Sequence, residues 1–277
     1  MTGMQLKIAG SICMLFLTGL YGQVSVAAKP VKDMPVISII IDDLGTNSAR
    51  HERIVRLPGA ISCSFLPLNP ATVRLAKLAH SYNKEIMLHL PMESIADDPM
   101  GPGGLSLDMT HQEFSLALQK DLESVPHVTG INNHMGSLLT RHPGHMVWLM
   151  KDIKRNGKLF FVDSRTTRKS VAMTVAVQEG VPSLQRDVFL DHDPALKSIR
   201  RQFMLSINRA KKKGSVLVIG HPYKNTLQVL EEMLPKLEGM GVRLVAVSEL
   251  LKYRNMRQKI WHASLSRSQK AAKSLKQ

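Results

Sequence analysis

Ile37-Ser38-Ile39-Ile40-Ile41-Asp42-Asp43-Leu44-Gly45 is a run of β-branched residues that ends in two adjacent carboxylates and a glycine. Continuous apolar runs of this kind are strands buried on both faces, the type found in parallel sheets and barrels. Two carboxylates at the C-terminal end of such a strand repel one another and raise each other's pKa. A metal cation relieves that repulsion and frees one Asp to serve as a base. The competing reading is a plain turn, with Asp43-Leu44-Gly45 only leading into the next helix. The rest of the chain decides between them.

Downstream of this strand, apolar runs alternate with helical patterns, which argues for a parallel α/β architecture. Strands are expected near residues 36–41, 60–65, 86–90, 128–132, 159–162, 187–190, 216–219 and 242–246. The helices between them carry visible punctuation. Thr110-His111-Gln112-Glu113 is a capping box opening a helix that stops before Pro126. Pro143 suits the first turn of a helix running to about Asn156, with Gly157 ending it. Asp193-Pro194 begins a long helix whose end at Lys211-Lys212-Lys213-Gly214 places cations at the negative pole of its dipole. Ser94 to Asp108 is the longest irregular stretch, and loops of that length in compact domains are functional or mobile.

Polar residues recur where these strands end. Asp42-Asp43 closes the first strand and His89-Leu90-Pro91-Met92-Glu93 the third; Asn132-Asn133-His134-Met135-Gly136-Ser137 follows the fourth. Asp163-Ser164-Arg165, Asp191-His192-Asp193 and Gly220-His221-Pro222-Tyr223 close the next three. In parallel sheets and barrels the C-terminal strand ends share one rim, and active sites sit there. A lone His at a strand end is usually structural. Six polar strand ends on one rim are not explained by helix caps.

His and Asp form a suitable ligand set for Zn²⁺ or another divalent metal, with three protein ligands leaving a position for water. Asp43, His89 and His134 are therefore assigned as ligands, with Glu93 in reserve. Asp42 is the candidate base and His221 the candidate acid on the leaving group. Asp163 and Asp191 are expected to support the site by orienting a His or Arg side chain. Covalent catalysis is less well supported: Ser64, Ser137 and Ser164 lack nucleophile-elbow spacing, and Cys63 falls in mid-strand. No GxGxxG or P-loop pattern is present.

The first 28 residues read as an export signal: Lys7, an apolar stretch from Ile8 to Tyr21, then the small residues Val26-Ala27-Ala28. That stretch is shorter than the about 20 residues a membrane-spanning helix needs. Residues 29–35 form a linker, 36–251 the catalytic-type domain and 252–277 a basic tail. The tail holds eight Lys or Arg and no acid, which accounts for much of the net charge of +15. Its composition suits a disordered extension or a frayed helix. An exported protein has no nucleic acid to meet, so anionic lipid or an anionic wall polymer is the expected contact for the tail. The expected location is the periplasm, with membrane association. With Cys13 inside the signal, Cys63 stands alone and no internal disulfide is expected.

Taken together, Ile-Ile-Asp-Asp-Leu-Gly, His-Leu-Pro-Met-Glu, Asn-Asn-His-Met-Gly-Ser, Phe-Val-Asp-Ser-Arg-Thr and the late Gly-His-Pro resemble the divergent polysaccharide deacetylases, over about Val36 to Leu251. That family is related to the NodB-type carbohydrate esterases. The resemblance implies a distorted (β/α) barrel of about seven parallel strands, with Asp42 as base, Asp43 as metal ligand and His221 as acid. The NodB pattern places two His four residues apart on one loop, whereas here His89 is followed by Glu93, so the second imidazole must come from elsewhere. The implied function is a metal-dependent hydrolase removing acetyl groups from an N-acetylated envelope polysaccharide resembling peptidoglycan. The alternative is a catalytically weak barrel that binds cell-wall glycan or an envelope protein. A metal phosphoesterase would want a second carboxylate cluster, for which Asp163, Asp191 and Asp193 are the candidates.

Overall fold

The structure is a computed structural model and describes residues 34–274 except residue 47, with side chains described as far as Trp261. The export-signal reading and most of the linker lie outside the described residues. The strands are β1 (Val36–Leu44), β2 (Ser62–Phe65), β3 (Glu85–Met92), β4 (Val128–Met135), β5 (Phe160–Asp163), β6 (Ser183–Gln185), β7 (Val188–Phe189), β8 (Ser215–Gly220) and β9 (Arg243–Leu244). The helices are α1 (Ala49–Val55), α2 (Thr72–Ser81), α3 (His111–Ser124), α4 (Pro143–Arg155), α5 (Ala172–Gln178), α6 (Leu196–Lys213), α7 (Lys224–Met233) and α8 (Val247–Ser274).

Every described ladder is parallel, in the order β6-β5-β4-β3-β2-β1-β8-β7. β9 pairs with the first two residues of β1, on Val36 and Ile37, while β2 takes over from Ile40. The two ends of this path, β6 and β7, are consecutive in the chain and joined only by Arg186-Asp187. Three peptide steps reach at most about 11 Å. The sheet must therefore curl until its edges meet, which makes it a barrel with one unlaced seam. The expected strand at 187–190 is only the two residues of β7, and β6 ahead of it lies outside the expected strands; the chain turns at Arg186-Asp187 between them to bridge the seam.

Alternation along β1 sorts its residues into two layers. Ile37, Ile39 and Ile41 join the outer core against the helices, whereas Val36 and Ile40 join the inner core. Ile39 is fully buried, so truncation to Ala should cost about 2–5 kcal/mol. The inner core also holds Met87, Phe160, Val162, Leu217 and Ile219, and it is closed at the strands' N-terminal end by Val247, Leu250 and Leu251 of α8. Glu85 anchors this plug by accepting from the Val247 and Ser248 amides at 2.7 and 3.1 Å, groups a helix start otherwise leaves unpaired. Ser38 donates to the Val245 carbonyl at 2.7 Å. The barrel therefore has an apolar floor and leaves its C-terminal rim to polar residues.

The helix signals act as expected at three places. Thr110 and Glu113 form a reciprocal capping box on α3, Pro143 opens α4, and Gly214 ends α6 in the left-handed region. α6 begins at Leu196 rather than at Asp193, whose carboxylate accepts from the Ala195 amide just ahead of the helix. The segment read as a tail continues α8 to Ser274, so residue 251 falls inside a helix. Arg254 of that helix pairs with Asp187 and ties its first turns to the barrel.

Candidate active site

Neighbouring residues on a strand point to opposite faces, so Asp42 and Asp43 should diverge. The structure resolves this with a β-bulge. Ile41 pairs with Cys63 and Leu44 with Phe65, three steps on β1 against two on β2. The extra residue is accommodated by Asp43 at φ 56°, a left-handed conformation that Asp tolerates better than most residues. Asp42 stays inward, Leu44 returns to the outer core, and Asp43 swings onto the rim beside Asp42. Gly45 follows at φ 130°, where an added Cβ would lie 2.4 Å from Thr72 Oγ1.

β3 presents His89 and β4 presents His134 to the same point. Asp43 Oδ1 lies 3.2 Å from His89 Nε2 and 3.1 Å from His134 Nδ1, and the two ring nitrogens are 3.1 Å apart. The described ligand atoms of these three residues all lie within 4.8 Å of one another. Asp43 Oδ1 is buried yet has no correctly directed hydrogen bond. Three donors at about 2.0–2.1 Å from a tetrahedral centre sit about 3.3 Å apart, so the triangle fits a divalent metal such as Zn²⁺. Burial opposes ionisation of Asp43, but the imidazoles of His134 and His89 hold its carboxyl well below the usual range.

Asp42 lies behind this triangle, 3.7 Å from His89 Nε2. Asn132 Nδ2 donates to both of its oxygens, at 2.9 and 3.1 Å, and Ser64 Oγ donates to Asn132 Oδ1 at 2.5 Å. Burial raises the Asp42 pKa, with the charges of His89 and His221 pulling the other way. Across the site, His221 Nδ1 is 2.9 Å from Asp191 Oδ1, which leaves Nε2 facing Asp43 Oδ2 at 3.9 Å. Asp191 also accepts from the His221 amide and from Thr226 Oγ1. Burial alone would lower the His221 pKa; the Asp191 hydrogen bond, with Asp42 and Asp43 beyond it, raises it to about 9. The shift is in the direction a general acid needs.

The group opens into a cavity of about 490 Å³ that Asp42, His89, His134 and His221 share with Arg186 and Phe189. Two residues named from the sequence lie apart from this cluster. Asp163 accepts from the Arg165 amide and from Ser170 Oγ, shaping the loop after β5 instead of orienting an imidazole or guanidinium. Glu93 accepts from the Leu107 amide and braces the long loop at 94–108. Cys63 is buried in the outer core, where burial pushes its thiol up to about 12, so it supplies no nucleophile.

The sequence profile of the divergent polysaccharide deacetylases matches residues 39–251, which span β1 to the start of α8 and hold every residue of the cluster. The chain belongs to the divergent polysaccharide deacetylase family. An uncharacterised protein of Haemophilus influenzae is 34% identical over 245 residues, covering 88% of this chain and 85% of that one. The uncharacterised protein YibQ of Escherichia coli K12 is 35% identical over 215 residues, covering 78% of this chain and 67% of that one. The fold is shared with the crystal structure of an uncharacterised protein from Agrobacterium tumefaciens C58. Its TM-score is 0.74 at 21% identity, over 78% of this chain and 89% of that one.

Within this deacetylase fold, the sequence reading passed over Asn132, Ser64 and Arg186. Asn132 was open to inference, since it stands two residues before His134 and must share its inward face. Ser64 follows the same rule on β2. Arg186 carries no such signal, because it lies in the link across the seam.

Proposed function

We propose that this divergent polysaccharide deacetylase is a metal-dependent hydrolase that removes acetyl groups from N-acetylated sugars of an envelope polysaccharide. The observation that carries this reading is the convergence of Asp43, His89 and His134 on one point, with an orphaned carboxylate oxygen and a separate Asp behind it. A divalent metal held there would polarise the acetyl carbonyl and acidify a water molecule.

The chain's own groups supply the proton transfers. Asp42 takes the proton of the attacking water, and its burial-raised pKa makes it a stronger base than an exposed carboxylate. Asn132 holds both Asp42 oxygens, so the carboxylate keeps one orientation while it works. His221 carries its proton on Nε2 and delivers it to the departing sugar amine, with Asp191 fixing the ring through Nδ1. Atoms balance as amide plus water to acetate plus amine.

The envelope setting rests on the amino-terminal segment and on the cationic helix. Beyond Arg254, α8 exposes Met256, Ile260 and Trp261 among Lys and Arg residues. This fits contact with an anionic lipid surface or wall polymer. The deciding experiment is metal analysis of protein purified without chelator, paired with acetate release from an N-acetylated oligosaccharide. About one metal per chain with acetate release is the expected result. Metal-free protein that binds the glycan and releases no acetate would overturn it in favour of a binding module.

A further inference from the structure

We infer that the active-site cavity is built for a substrate carrying a carboxylate close to the acetylated position, and that Arg165 and Arg186 read it. The inference rests on the deacetylase reading and names the kind of sugar it acts on.

Both arginines line the cavity together with His89 and His134. Among the described residues neither has a carboxylate within ion-pair distance; Arg165 is exposed and Arg186 half-buried. The acids of this rim are already committed. Asp163 is taken by the Arg165 amide and Ser170, Asp191 by His221 and Thr226, and Asp42 by Asn132.

Arg186 is also held in place. Its Nε donates to the Ser164 carbonyl at 2.6 Å and its Nη2 to the Arg165 carbonyl at 3.0 Å, while its guanidinium lies over the Phe189 ring at 4.7 Å. Among the described residues Nη1 has no hydrogen-bond partner. A half-buried guanidinium always keeps its charge, and Asp163 and Asp42 act on that of Arg186 only from beyond ion-pair distance, which leaves room for a direct counter-ion. Arg165 sits beside it at φ 52°, a left-handed conformation of the kind that collects at ligand sites. His192, also at the cavity, adds a third nitrogen base within ring contact of Phe189. A neutral N-acetyl sugar offers hydroxyls and an amide and has no use for two unpaired guanidinia. A carboxylate matches their planar forks.

The test compares binding of two probes to the full-length protein, with and without chelator: an N-acetylated amino-sugar oligosaccharide bearing a carboxylate, and its methyl ester. The expected result is that the acid binds about 10- to 100-fold tighter, the range for one charge-assisted hydrogen bond. Arg165→Gln and Arg186→Gln should each remove most of that preference by weakening binding of the acid far more than binding of the ester. Arg165 makes no side-chain bond in the fold, so its variant stays informative if Arg186→Gln disturbs the seam. Equal binding of acid and ester would overturn the inference and leave the deacetylase reading standing. A preference that chelator abolishes but the Arg variants keep would assign the carboxylate to the metal and also overturn it. Binding of neither probe would overturn it together with the reading beneath it.

Discussion

The adjacent aspartates give the sharpest test, because the bulge assigns them opposite tasks one residue apart. Asp43 places Oδ1 at 3.1–3.2 Å from both imidazole nitrogens, so Asp43→Ala deletes one of three ligands and the negative charge among them. Loss of a residue that merely supports a ligand typically costs 10–100-fold in metal affinity, and loss of the ligand should exceed that. Asp42 touches no ligand closer than 3.7 Å, and Asn132 holds it in place. Asp42→Asn keeps its shape but cannot accept a proton from water. Its affinity loss should stay within about 10–100-fold and be overcome by added metal. At saturating metal its turnover should still fall by about 10²–10⁴-fold, or about 3–5 kcal/mol of barrier at 1.36 kcal/mol per tenfold. The assay pairs metal titration with acetate release, at matched metal occupancy. Unchanged turnover in Asp42→Asn would remove it as the base, and stoichiometric metal on Asp43→Ala would dissolve the triangle.

Four further outcomes are expected. The Asp191 hydrogen bond is the main force raising His221, so activity should fall as pH rises through about 9, and Asp191→Asn should move that limb down toward the ordinary His value of about 6.5; a limb that stays put would assign it to another group. Because the Asp42 pKa is raised, the acid limb should lie above that of an ordinary Asp, with activity lost as pH falls through it. Glu85→Ala strands the Ser248 amide and leaves the Val247 amide only Ser62 Oγ at 3.3 Å, so urea denaturation should show a loss of about 1–3 kcal/mol at unchanged m-value; a loss within measurement error would mean that α8 does not depend on that cap. Deleting residues 262–277 spares the Arg254–Asp187 pair and should leave the melting temperature nearly unchanged while weakening binding to anionic vesicles at low salt; equal vesicle binding would show that the charge is only solvated.

What the sequence made legible here followed from periodicity and end signals. The isoleucines of β1, the capping box at Thr110 and the lysines before Gly214 each express a local rule, and each lands where that rule puts it. β6 did not show and β7 is shorter than the expected 187–190, because pieces of three and two residues carry no period and exist only where the sheet's edges are drawn together. The paired aspartates sit at the limit of such reading. Alternation alone would send Asp43 into the apolar layer against the helices, where a carboxylate does not belong. The sequence placed Leu44 next, an apolar residue suited to that layer, and then Gly45, a residue able to take a left-handed turn. An acid at an outward position followed by an apolar residue and a glycine is a strand that must slip by one. Once it slips, both carboxylates reach the rim, and a motif that would strain a regular strand brings Asp43 to His89 and His134, a set that could hold a cation, with Asp42 behind it as the proposed base.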